Sequence, residues 1–117
     1  MIKKHYSSKD ELNLAVITKL KCNSKVNQRD LAKQLNISLG GLNYVLKALI
    51  NKGFVKVKNF KNSKNKLNYA YILTSEGIAE KIKLTKKFLL FKYAEYETLE
   101  KEIKDLKKEL WREDNEF

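Results

Sequence analysis

Residues 27–53 read NQRDLAKQLNISLGGLNYVLKALINKG, and their reading decides the fold. Two apolar stripes at helical spacing are separated by a short polar break. In the first, Leu31, Ala32 and Leu35 share a face behind Asn27, a good N-cap, and Asp30, whose charge suits the positive end of a helix. Asn36 can leave that helix in a left-handed conformation, and Ile37 packs in the turn. Ser38 caps the second stripe, where Leu42, Val45, Leu46 and Leu49 recur on one face until Asn51-Lys52-Gly53 stops it. The spacing predicts short helices over 27–35 and 38–51 joined by a tight turn, a helix-turn-helix.

The period changes after Gly53. Phe54-Val55-Lys56-Val57-Lys58 alternates and reads as a strand. Residues 59–66, NFKNSKNK, are polar, basic and turn-rich. Residues 67–73 form the return strand, with Tyr69, Tyr71 and Leu73 on one face. The result is a β-hairpin with a long basic tip. Upstream, Ser8 and Glu11 have capping-box spacing, and Leu12, Ala15, Val16 and Leu20, with Ile17 beside them, predict a helix ending near 21–24. Val26, a lone apolar residue, is a candidate short strand.

Downstream, Thr74 or Ser75 caps a last helix running to about residue 112, with Gly77 tolerated near its start and no proline to break it. At ~1.5 Å per residue it extends roughly 55 Å, too long to lie wholly on so small a domain. The fold class is therefore mainly α with a small β-hairpin. A winged helix-turn-helix over 1–74 is followed by a long C-terminal coiled-coil helix over 75–117.

Charge separates the same two parts. Residues 1–74 carry 15 basic and 3 acidic side chains, a net of +12, whereas residues 75–117 carry 10 and 11, a net of −1. Between Asp30 and Glu76 there are eight lysines and no acid. The chain is lysine-rich throughout, 23 Lys against 2 Arg, and compositional bias would raise lysine everywhere. Bias would not empty one stretch of acids. A polyanion partner accounts for that field, because lysine neutralises phosphates and releases their counterions.

In such a fold the second helix of the pair enters the major groove, nearest the bases at its N-terminus. Its exposed positions are Ser38, Leu39, Gly40, Gly41, Asn43, Tyr44 and Lys47. Asn43 can pair bidentately with adenine, and Ser38 and Tyr44 suit phosphate or base edges. Gly40 and Gly41 read no base but allow the helix start, whose amides bind phosphate, to come close. Gln28 and Arg29 open the supporting helix beside the backbone. Lys58, Lys61, Lys64 and Lys66 in the hairpin add affinity and salt dependence with little discrimination.

The last helix fits a heptad frame whose apolar members are Ile78, Ile82, Leu89, Tyr96, Leu99, Ile103, Leu106 and Leu110, interrupted by Thr85 and Lys92. Mixed charges flank it, as expected of a coiled-coil seam. A second stripe, Leu84, Phe88 and Phe91, is expected to pack on the winged-helix core. The frame points to a homodimer whose two domains read an inverted repeat of half-sites about one DNA turn apart.

Other chemistry is poorly supplied. The longest runs of aliphatic residues and phenylalanine, 14–17 and 88–91, have four residues, against the about 20 that a membrane span needs. There is one histidine, His5, one cysteine, Cys22, and no glycine-rich phosphate loop, so no metal site, disulfide, cofactor site or catalytic constellation is expected. Trp111 reads as packing at the end of the coiled coil. A reducing, cytoplasmic setting fits this composition, and no small-molecule effector is indicated.

Ser38-Leu39-Gly40-Gly41-Leu42-Asn43-Tyr44-Val45-Leu46-Lys47, the Lys-Asn-Ser-Lys-Asn-Lys run at 61–66 and the segment Tyr69-Ala70-Tyr71-Ile72-Leu73-Thr74-Ser75-Glu76-Gly77 resemble a known group. It is the MarR-type regulators termed EPS (exopolysaccharide)-associated, and the similarity covers nearly the whole chain. The resemblance implies a bacterial or archaeal DNA-binding transcriptional regulator, normally dimeric. This sequence departs from ordinary MarR proteins in being short and without their extended N-terminal helix, so its C-terminal helix is expected to supply most of the dimer interface. Two other readings stay open. One is a winged-helix protein-interaction adaptor. The other is an RNA-binding module, which usually displays aromatics for stacking, with Phe60 as a candidate.

Overall fold

The computed structural model describes residues 8–61, 64 and 67–115. Helices α1 (Ser8–Cys22), α2 (Gln28–Leu35) and α3 (Leu39–Asn51) precede an antiparallel hairpin of β1 (Val55–Lys61) and β2 (Leu67–Leu73), and α4 (Ser75–Asn115) completes the chain.

The ends of α2 and α3 form for the reasons their residues suggest. The Asp30 amide donates to the Asn27 side chain at 2.8 Å, and the Gly41 amide donates to the Ser38 hydroxyl at 3.0 Å. Each satisfies one of the amides a helix start leaves without an internal partner. Asn36 leaves α2 at φ 55°, and Gly53 follows α3 at φ 79°, both in the left-handed region. Helix α1 differs from expectation, because Ser8 already lies inside the helix and so does not cap it.

One apolar core joins these elements. Val16, Ile17 and Leu20 of α1 meet Leu31 and Ala32 of α2, the four-residue stripe of α3, Val55 and Tyr71 of the hairpin, and Leu84 of α4. Fully burying each Leu or Ile stabilises the fold by about 1.5–3 kcal/mol, so the shared core, more than helix propensity, holds the short α2 in place.

Two local expectations are corrected. Val26 forms no strand; the chain there makes a single backbone bond to the hairpin, from the Tyr71 amide to the Ser24 carbonyl at 2.9 Å, while Val26 itself packs partly into the core. Strand β1 extends to Lys61, beyond the predicted 58, because Asn59, Phe60 and Lys61 pair with Tyr69, Asn68 and Leu67. Ladder bonds need only backbone, and Phe60 gains a further contact as Lys25 Nζ stands 5.1 Å above its ring.

Where the hairpin passes into α4, the backbones come very close. The Thr74 hydroxyl donates to the Gly53 carbonyl and accepts from the Gly77 amide, and the Thr74 amide donates to the Phe54 carbonyl at 3.1 Å. A Cβ on Gly77 would lie 2.0 Å from the Phe54 oxygen. Glycine is therefore required there rather than tolerated. Glu76 sits in this first turn, and its own backbone amide, then the Ser75 and Thr74 side chains, hold its carboxyl below the usual carboxylate range.

Helix α4 has two different halves. Leu84 is buried, Phe88 and Phe91 are half-buried as expected, and Lys87 reaches Asp10 of α1 at 2.8 Å. From Leu99 to Asn115 every residue is exposed, and the molecule measures 78 × 27 × 22 Å.

Candidate nucleic-acid interface

Burying Leu42, Val45, Leu46 and Leu49 turns the opposite side of α3 outward. Tyr44 is its most prominent side chain at 72% exposure and stands out in solvent rather than against the hairpin. Leu39, Gly40 and Lys47 are exposed beside it. Asn43 is half-buried on the flank that faces the hairpin.

The two glycines have different surroundings. A Cβ on Gly40 would meet nothing within 4 Å, so this turn of α3 offers open backbone. On Gly41 it would come within 3.0 Å of the Ser38 hydroxyl that caps the helix. Gly41 therefore accommodates the cap, and Gly40 leaves the approach clear.

Between α3 and the hairpin runs a groove of about 320 Å³. Asn43, Lys47 and Ile50 form one wall, Val57, Tyr69 and Tyr71 the other, and Gln28 reaches in from the start of α2. The Gln28 side-chain amide donates to the Tyr71 hydroxyl at 2.6 Å, bridging residues 43 apart in sequence. One of the two Gln28 N–H groups is thus committed to the hairpin, and the second remains for a ligand. Arg29 is exposed next to it.

Strand alternation splits the hairpin lysines. Lys56 and Lys58 share a face with Phe60, whereas Lys61 shares the face of Val57 that looks into the groove. Lys64 is exposed at the tip, and Lys66 and His5 lie outside the described residues. Lys25 also stands over the ring of Phe60, the aromatic named above as a stacking candidate. Tyr69 and Tyr71 belong to the groove although sequence reasoning did not include them. Their shared face was readable from spacing, but the wall they make needs the Val57–Tyr71 pairing.

Residues 9–56 match the family model described as winged helix-turn-helix DNA-binding. This region is similar to winged helix-turn-helix DNA-binding domains. The winged-helix domain and its long helix resemble solved structures over most of the chain. One is smu.1704 from Streptococcus mutans, at a TM-score of 0.70 and 18% identity, covering 83% of this chain and 94% of that one. A mutant MarR from E. coli complexed with operator DNA gives 0.52 and 23% identity, covering 70% of this chain and 55% of that one. A mutant S. aureus MepR bound to an oligodeoxyribonucleotide gives 0.55 and 19%, covering 91% and 75%. The fold is thus one shared with these proteins. No curated protein matches.

Among the described residues no group of three or more His, Cys, Asp or Glu side chains could hold a metal ion, and no helix is long and apolar enough to cross a membrane. Cys22 is an exposed thiol at the end of α1.

Proposed function

We propose that this chain is a transcription regulator that binds double-stranded DNA sequence-specifically as a homodimer. The observation that carries the reading is the coincidence of the acid-free, lysine-bearing segment between Asp30 and Glu76 with the outward face of α3 and the hairpin. Helix α3 lies in the major groove, with Asn43 and Tyr44 toward base edges and phosphates, and Ser38, Leu39, Gly40 and Gly41 at the close approach. Lys47, the second Gln28 N–H and Arg29 face the backbone. Lys58, Lys61, Lys64 and Lys66 lie along phosphates or in the minor groove. DNA-bound MarR and MepR structures of the same fold support this partner.

Dimerisation proceeds through the apolar frame of α4, whose members from Ile78 to Leu110 are all exposed in the single chain. An exposed apolar frame of that length, interrupted at Thr85 and Lys92, calls for a partner.

Fluorescence anisotropy with a duplex from the gene's own upstream region tests the reading. Expected is tight binding that survives scrambled duplex and single-stranded RNA, with log K falling by about 0.9 per contacted phosphate for each decade of salt. Binding abolished equally by every polyanion would reduce the basic segment to a generic field and overturn the proposal.

A further inference from the structure

Helix α4 carries a ten-position frame from Ile78 to Leu110, spaced alternately by four and three residues, and each of its apolar members is exposed. Given the homodimer proposed above, on which this inference rests, we infer that the two α4 helices run antiparallel in one register, centred on residue 94.

The spacing of the frame is the same read from either end, so in this register all ten positions meet frame positions of the other copy. Ile78 meets the partner's Leu110, Ile82 the partner's Leu106, and Leu89 the partner's Leu99. The two polar positions also find suitable neighbours: Thr85 faces the partner's Ile103, and Lys92 faces the partner's Tyr96, whose ring attracts a cation. In a parallel pair each position would meet its own copy, setting Lys92 against the partner's Lys92 at the seam.

The flanking charges favour the same orientation. Antiparallel pairing sets Lys81 beside the partner's Glu109 and Lys86 beside the partner's Glu100. Parallel pairing would set Lys81 beside the partner's Lys86 and Glu95 beside the partner's Glu100, with Glu102 and the partner's Lys107 as its favourable contact. The antiparallel cost is Glu95 meeting the partner's Glu95, and Lys92 of the same helix already stands 3.3 Å from that carboxylate. Sliding one heptad toward the C-terminus would place Glu95 against the partner's Glu102; sliding the other way would carry Leu110 beyond the start of the partner's helix. Complementary flanking charges of this kind select orientation and register more than they add strength.

The register also sets the span between the two DNA-binding domains. Leu84, where α4 enters the core, lies about ten residues from the centre, so the docking points stand about 30 Å apart along the pair. Half-sites one DNA turn apart are separated by about 34–36 Å.

Crosslinking in the full chain tests this, with exposed Cys22 first replaced by serine. Thr85→Cys and Ile103→Cys are made separately and treated with a short bis-maleimide, alone and mixed. Expected is an adduct only in the mixture, because like positions lie about 27 Å apart in this register. A dimer whose single variants crosslink when alone keeps the homodimer and overturns the orientation. A dimer that yields no adduct even in the mixture overturns the register. A chain that sediments as a monomer at all concentrations overturns the homodimer itself. In addition, Lys81→Glu with Lys86→Glu raises the dimer Kd about tenfold, and adding Glu100→Lys with Glu109→Lys returns it to within about threefold. An unchanged Kd after the first reversal overturns the pairing.

Discussion

Leu42, Leu46 and Leu49 of α3 are 0%, 1% and 1% exposed, whereas Leu99, Leu106 and Leu110 of α4 are 54%, 68% and 59% exposed. Both sets recur at helical spacing. The stripe of α3 is covered by α1, α2 and the hairpin; that of α4 continues past the point where the domain ends. Apolar periodicity states that a face needs covering, and the length of the helix relative to its domain decides whether the same chain can cover it.

Shortening one leucine in each helix separates the two stripes. Leu46→Ala should cost about 2–5 kcal/mol and lower Tm at every protein concentration. Leu106→Ala should change the stability of the dilute chain by less than about 0.5 kcal/mol. It should instead remove the rise of Tm with concentration that a dimer shows. Calorimetry over a hundredfold concentration range separates the two, and equal losses at high dilution would erase the distinction.

Two glycines extend the test to backbone packing. Gly77→Ala forces a Cβ onto the Phe54 carbonyl and should cost about 1–3 kcal/mol. Gly40→Ala adds a methyl in open space within α3 and should stabilise by up to about 1 kcal/mol while weakening DNA binding. Urea midpoints and anisotropy measure both; a Gly40→Ala protein with unchanged affinity would remove the start of α3 from the interface.

Charge separates the two regions as well. Lys61→Ala should lower the salt slope of DNA binding by about 1 at any sequence, while Lys108→Ala on α4 should leave it unchanged. The smallest effect expected is at Glu76. Its carboxyl is held below the usual range by its own backbone amide and the adjacent Ser75 and Thr74 side chains, so its contribution is fully present above the ordinary carboxylate range. The contribution fades as pH falls through the lowered value. Comparing wild type with Glu76→Gln from pH 7 to pH 3 should show a small gap that closes toward acid.

Much of this could be read along the chain because the deciding contacts are local. Asn27 and Ser38 cap helices three residues from the amides they accept, and Asn36 and Gly53 end them by their own φ. The stripes of α3 and α4 follow from a 3.6-residue period alone. What was not legible depends on residues distant in sequence. The extension of β1 to Lys61 depends on pairing with Leu67, and the Gln28–Tyr71 bond on docking α2 against the hairpin. The strict need for Gly77 depends on where the Phe54 carbonyl comes to rest.

That last contact also has a mechanical side. Helix α4 is clamped at its first turn, where Thr74 and Gly77 meet Gly53 and Phe54, and has no proline to bend it along its 41 residues. Leu84 and Lys87 extend that hold to the core and to α1, so the free arm, from residue 92 to Asn115, is about 36 Å long. A tilt of about 5° where that arm leaves the domain sweeps the far end through about 3 Å. In the dimer proposed above, the distance between the two domains would follow from the stiffness of this docked segment more than from the reach of any side chain.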